Sequence, residues 1–152
     1  MSLRARFMDD LKAAMKAGDA GRVGTLRMIS AKIKDADIAA RPRGVDKIDD
    51  DEVVAALRGM IKSRVESATL YRQGGRAELA EKEEAEIATI RAYLPAELDA
   101  ATLEAAAREA IAGVGATGMK DMGRVMAELK TRFGAVLDAG RASAVVKSLL
   151  AA

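Results

Sequence analysis

The stretch GATGMKDMGRVMAELKTR, residues 115–132, carries three methionines and four basic side chains on one predicted helix and its lead-in. At about 100° per residue, Met122, Val125, Met126, Leu129 and Phe133 gather on one face. Lys120, Arg124, Glu128 and Arg132, four residues apart, run along another. Such a helix must bury its apolar stripe against other helices. The same period returns along the chain. Leu3, Phe7, Leu11 and Met15 form one stripe, and Val23, Leu26, Ile29 and Ile33 a second. Val54, Leu57, Ile61, Val65 and Ala68 form a third, and Leu79, Ile87, Ile90 and Leu94 a fourth. Shorter stripes follow at Leu103, Ala107 and Ile111, and at Val145, Val146, Leu149 and Leu150. No segment alternates as a strand does. The expected fold class is all-α.

Breakers divide the stripes. Gly18 stops the first helix, and Pro42, which lacks an amide proton and restricts its predecessor, stops the second. DKIDDDE, residues 46–52, sets acids where a helix N-terminus favours them, and RQGG, residues 72–75, ends the third helix. LPAELDAAT, residues 94–102, is the predicted boundary, with Pro95 closing one element and Asp99 able to cap the next. The reading is a helical bundle of about four helices over residues 1–95 and a three-helix module over residues 96–152.

Half of the residues are hydrophobic but only 3% are aromatic, so the core must be aliphatic. The chain has no cysteine and no histidine. That excludes thiolate chemistry, imidazole acid–base catalysis and the usual zinc sites. A metal would have oxygen ligands only, and neither a metal nor a cofactor is expected. The first twenty residues are broken by charges throughout, and no stretch approaches a membrane span, so a cytoplasmic protein is expected. Residues 1–45 carry ten Lys/Arg against five Asp/Glu, residues 46–95 eight against eleven, and residues 96–152 seven of each. The basic front third reads either as a polyanion surface or as the solvated face of amphipathic helices.

Particular residues invite closer reading. Glu83 lies on the fourth apolar stripe, where a buried carboxylate needs a partner. Arg27 and Arg64 are the candidate partners; the alternative sets Glu83 at the wet edge. In the opening stretch, Gly123 within a helix costs roughly 1 kcal/mol relative to alanine and suggests close approach by a neighbouring helix or a ligand backbone. The amides around Thr117 and Gly118 suit a phosphate, with Lys120 and Arg124 flanking it. The same residues also suit an ordinary packed helix. EKEEAEIATIR, residues 81–91, reads as a solvated acidic face, and no catalytic residue is assigned. Tyr71, Tyr93, Phe7 and Phe133 are too scattered to make a base-stacking platform.

Three blocks, LKAAMKAGDAGRVGTLRMISAKIKDADIAAR (residues 11–41), AEKEEAEIATIRAYLPAEL (80–98) and GATGMKDMGRVM (115–126), precede a last helix ending VVKSLL. In that order they resemble the YqeY-like (GatB/YqeY) family, the stand-alone relatives of the C-terminal tail of the GatB component of aspartyl/glutamyl-tRNA amidotransferase. The resemblance covers nearly the whole chain. It implies a longer N-terminal bundle, a three-helix C-terminal module, and a bacterial, cytoplasmic setting. In the amidotransferase the tail helps to hold tRNA while other regions do the chemistry. The resemblance therefore implies tRNA holding and not catalysis, although family members are labelled amidotransferase-like, as carbon–nitrogen ligases with glutamine as amido donor. Where relatives have a compact basic turn between the last two helices, this chain reads RFGAVLDAGRA, residues 132–142. The leading expectation is an adaptor binding tRNA or a tRNA-handling assembly, with no DNA and no membrane as partner. The alternative is a protein-docking module that touches no RNA.

Overall fold

A computed structural model describes residues 2–152, and all of its regular elements are helices. Its contacts separate two compact units, one ending at Leu94 and the other Pro95–Ala152.

In the first unit, α1 (Leu3–Ala17) starts at Ser2, whose hydroxyl accepts from the Ala5 amide at 3.2 Å. It stops at Gly18, whose φ of 70° is a left-handed conformation that glycine adopts without a side-chain clash. Asp19 then caps α2 (Ala20–Ala40) by accepting from the Arg22 amide. Pro42 sits in a short 3₁₀ turn, Arg41–Arg43, where its missing amide costs no helical bond. Asp49 caps α3 (Asp50–Gln73), and Asp50, Asp51 and Glu52 fill its first turn, beside the positive end of the helix dipole. Helix α4 (Ala77–Arg91) returns along α3 after the Gly74–Gly75 turn.

Phe7, Leu26, Ile29, Val53, Leu57, Ile87 and Ile90 build the core of this unit. Two residues of the predicted stripes are exposed instead, Met15 at 54% and Val65 at 46%. In α1 the cause is geometric. Each four-residue step overshoots a turn by about 40°, so three steps carry Met15 off the face that Leu3 starts. Ala14 takes the core position in its place.

Two polar clamps tie α1 down. The Arg4 guanidinium donates to both oxygens of Asp37, at 2.9 and 2.6 Å, and to the Ile48 carbonyl at 3.1 Å. Asp37 also accepts from the Ile48 amide at 2.9 Å, fixing the segment between α2 and α3. At the other clamp, Tyr93 donates to Asp10 and meets the Phe7 ring edge-on, with centroids 4.7 Å apart.

The second unit holds α5 (Ala100–Val114), α6 (Met122–Phe133) and α7 (Ala139–Ala151), with 3₁₀ turns Met119–Asp121 and Gly134–Val136 flanking α6. Asp99 caps α5 through the Thr102 amide at 2.7 Å, and Asp138 caps α7 through Gly140 and Arg141. Leu103, Ala106, Ala107, Val125, Leu129, Ala142 and Val146 form its core, and Met122, Met126 and Phe133 pack at the margin. Alanines at the centre of α5 and α7 leave room for the larger Val125 and Leu129 of α6.

Candidate nucleic-acid interface

The predicted phosphate seat lies at the entry to α6. Gly118 is extended there, with φ −174°, and the chain folds back so that the Asp121 carboxylate meets the preceding amides. One Asp121 oxygen accepts from the Thr117 amide at 2.9 Å, the Gly118 amide at 3.3 Å and the Thr117 hydroxyl at 3.5 Å. The other accepts from the Arg124 guanidinium at 3.0 Å. The Thr117 amide holds the Asp121 pKa below the usual aspartate value against the opposing effect of burial, with further help from Arg124 and the Gly118 amide. A carboxylate thus occupies the place that the sequence pattern offers to a phosphate, because an anion from the chain's own next turn is the nearest acceptor for those amides. The expectation of free amides at Thr117 and Gly118 is corrected on this point.

The outer surface of the same turn stays open. Lys120 is exposed and forms no ion pair among the described residues. Arg124, 60% exposed along its side chain, spends one hydrogen bond on Asp121 and keeps donors of its planar fork for another acceptor. Between them Gly123 faces solvent, and a Cβ added there meets nothing within 4 Å. Helix packing within the described structure therefore does not explain this glycine. Asp121 is absent from the residues singled out in the sequence, although an acid in the first turn of a helix is a recognised signal.

The ion pair expected at Glu83 forms one turn further on. Arg64 donates to Glu86 at 3.0 Å, to the Met60 carbonyl at 3.1 Å and to the Met28 sulfur at 3.4 Å. Glu83 is half-buried, without an ion pair among the described residues, and Arg27 is exposed. The α3–α4 register sets Arg64 level with Glu86, so Glu83, almost one turn nearer the Gly74–Gly75 turn, is out of step with it. Glu84 pairs instead with Arg72 at 2.8 Å, which lowers the Glu84 pKa.

Three of the four aromatic rings are already engaged: Phe7 and Tyr93 with one another, Tyr93 also with Arg6, and Phe133 beneath Arg132. Among the described residues no three acids gather as metal ligands, and no helix is long and apolar enough to cross a membrane.

These features define a helical scaffold that presents charged and apolar surfaces from two small bundles. The sequence matches the Yqey-like protein family over residues 4–150, and the chain belongs to that family. Over 104 residues it is 34% identical to Altered inheritance of mitochondria protein 41, mitochondrial, of Eremothecium gossypii, covering 68% of this chain and 55% of that protein. It is also 30% identical over 93 residues to an uncharacterized protein of Schizosaccharomyces pombe, covering 61% of this chain and 69% of the relative. The match takes in little more than half of the length of the first of these.

Proposed function

We propose that this chain is a non-catalytic, cytoplasmic adaptor that holds RNA by its phosphate backbone, with tRNA or a tRNA-handling assembly as its partner. The observation that supports the reading is the open lip where the 3₁₀ turn Met119–Asp121 enters α6. Lys120 and Arg124 are exposed four residues apart in sequence, and the exposed Gly123 beside Arg124 leaves room for another backbone. Asp121 holds Arg124 in place while leaving part of its donor fork free. Such contacts position a duplex without reading bases, in keeping with the engagement of Phe7, Tyr93 and Phe133 within the fold.

Binding of tRNA by wild type and by Lys120→Glu with Arg124→Glu, measured by filter retention at several salt concentrations, tests this. The double variant should bind more weakly across tRNA sequences and flatten the salt slope by about 1–2 units, since roughly one counterion is released per phosphate contact. Unchanged affinity and slope would leave the α6 lip a structural element only.

A second reading, docking of a protein helix, is favoured by one feature of the first unit. Between α2 and α3 an open groove of about 600 Å³ is lined by Met28, Ala31, Ala56, Gly59 and Met60, together with the polar Lys32, Asp35, Ser63 and Arg64. Small residues allow close approach, and methionines adapt to varied apolar partners. Binding that barely responds to salt would favour this reading over the first.

A further inference from the structure

We infer that the principal phosphate-tracking surface lies on α2, along a row formed by Arg27, Lys34 and Arg41. This rests on the RNA-holding reading above and assigns to it a site that the motif on α6 does not contain.

The row follows from helix geometry. Residues seven apart nearly superpose in projection, about 20° out of line, and lie roughly 10 Å apart along the axis. Arg41 is the C-cap of α2 and keeps helical dihedrals, φ −55° and ψ −41°, so it continues the line. All three side chains belong to exposed residues, and none forms an ion pair among the described residues. Ala31 and Ile38 lie on the same face. Of the two acids on this part of α2, Asp35 is turned about 100° away from Lys34. Asp37, three residues after Lys34 and four before Arg41, is buried and held by Arg4 and the Ile48 amide.

The contrast with the second unit gives the row its weight. Each of the four arginines there already has a carboxylate partner: Arg108 with Glu104 at 2.9 Å, and Arg124, Arg132 and Arg141 with Asp121, Glu109 and Glu97 at 3.0 Å. Those four charges are compensated at the surface, and only Lys120, Lys130 and Lys147, isolated in sequence, form no ion pair among the described residues of that unit. The row on α2 is not compensated. Three uncompensated cations in line on a rigid helix make a long, one-signed feature, which suits a polyanion whose charges are also in line.

The partner is RNA rather than an anionic membrane, for a reason in the core. A helix that lies on a lipid surface needs a broad apolar face turned outward beside its cations. The apolar face of α2, with Leu26, Ile29 and Ile33, is buried within the first unit, and Ile38 is the single large apolar side chain on the row.

The test is Arg27→Gln with Lys34→Gln and Arg41→Gln in the full chain, since glutamine removes charge and keeps helix propensity. A circular-dichroism melt checks the fold. Binding to an unfractionated tRNA pool by filter retention over a salt series should show a slope lower by about 2–3 units than wild type, with weaker binding at every low-salt point. A folded variant that matches wild type in slope and affinity overturns the inference and leaves the RNA reading in place. Wild type that binds no RNA at low salt removes both. Binding of wild type to phosphatidylserine-containing vesicles but not to RNA reassigns the row to a membrane and overturns the inference.

Discussion

Removing the Glu86 carboxylate should destabilise the first unit far more than removing that of Glu83, three residues before it. The Arg64 and Glu86 side chains are 14% and 16% exposed, and the guanidinium sits between α2, α3 and α4 with the Met60 carbonyl and the Met28 sulfur as its other acceptors. In Glu86→Ala this cation keeps two neutral partners and loses its counter-charge. Breaking a fully buried pair costs about 3–5 kcal/mol, and an exposed pair is worth about 0–1. With some solvent screening remaining, the expected loss is about 2 kcal/mol. For a unit of this size that corresponds to roughly 10 °C in melting temperature. Glu83→Ala, which breaks no ion pair among the described residues, should stay within about 0.5 kcal/mol. Pairing Glu86→Ala with Arg64→Met should recover part of the loss, because an apolar chain of similar length needs no counter-charge. Thermal melts and urea titrations of the four proteins decide it. Equal, small effects at Glu83 and Glu86 would refute the buried pair, and with it the hairpin register that aligns Arg64 with Glu86.

Three further outcomes are expected. Asp121→Asn should destabilise the second unit at neutral pH; because the folded pKa of Asp121 is lowered, its contribution is full above the ordinary aspartate range and fades as pH falls through the folded value. The gap to wild type in urea midpoints should accordingly close on acidification. Tyr93 has its pKa raised to about 12, by burial first and then by Asp10, so in Tyr71→Phe the remaining phenol should ionise near that value in an alkaline absorbance titration. Its contribution to stability is complete below about pH 10 and is lost as pH rises through the folded value; ionisation near 10 would contradict the Asp10 contact. Limited proteolysis should cut first within residues 96–101, at the end of the α4–α5 connection and the first turn of α5, and primary cleavage inside residues 76–94 would displace the proposed boundary.

The helices were legible because their cause is local. Leucine, isoleucine and valine at helical spacing fixed the period. Ser2, Gly18 and Asp99 act at their own positions through bonds to residues at most a few places away. What depends on register or on a folded-back turn was harder to read. The candidate pair at Glu83 required knowing which residue of α4 stands level with Arg64, and one turn of error moved it to Glu86. The phosphate seat at Thr117 and Gly118 required knowing that the 3₁₀ turn at Met119–Asp121 brings a carboxylate back to those amides. The basic front third was visible as composition. That Arg27, Lys34 and Arg41 have no ion pair among the described residues while Arg4, Arg22 and Arg43 find acids is a matter of tertiary neighbours.

The salt dependence of tRNA binding by the unmodified chain tests the central claim most directly. The account predicts measurable binding at low salt, with log affinity falling linearly and steeply as log salt rises, because cations on α2 and α6 displace counterions from phosphates. A flat salt response, or no binding at the lowest salt, would contradict it.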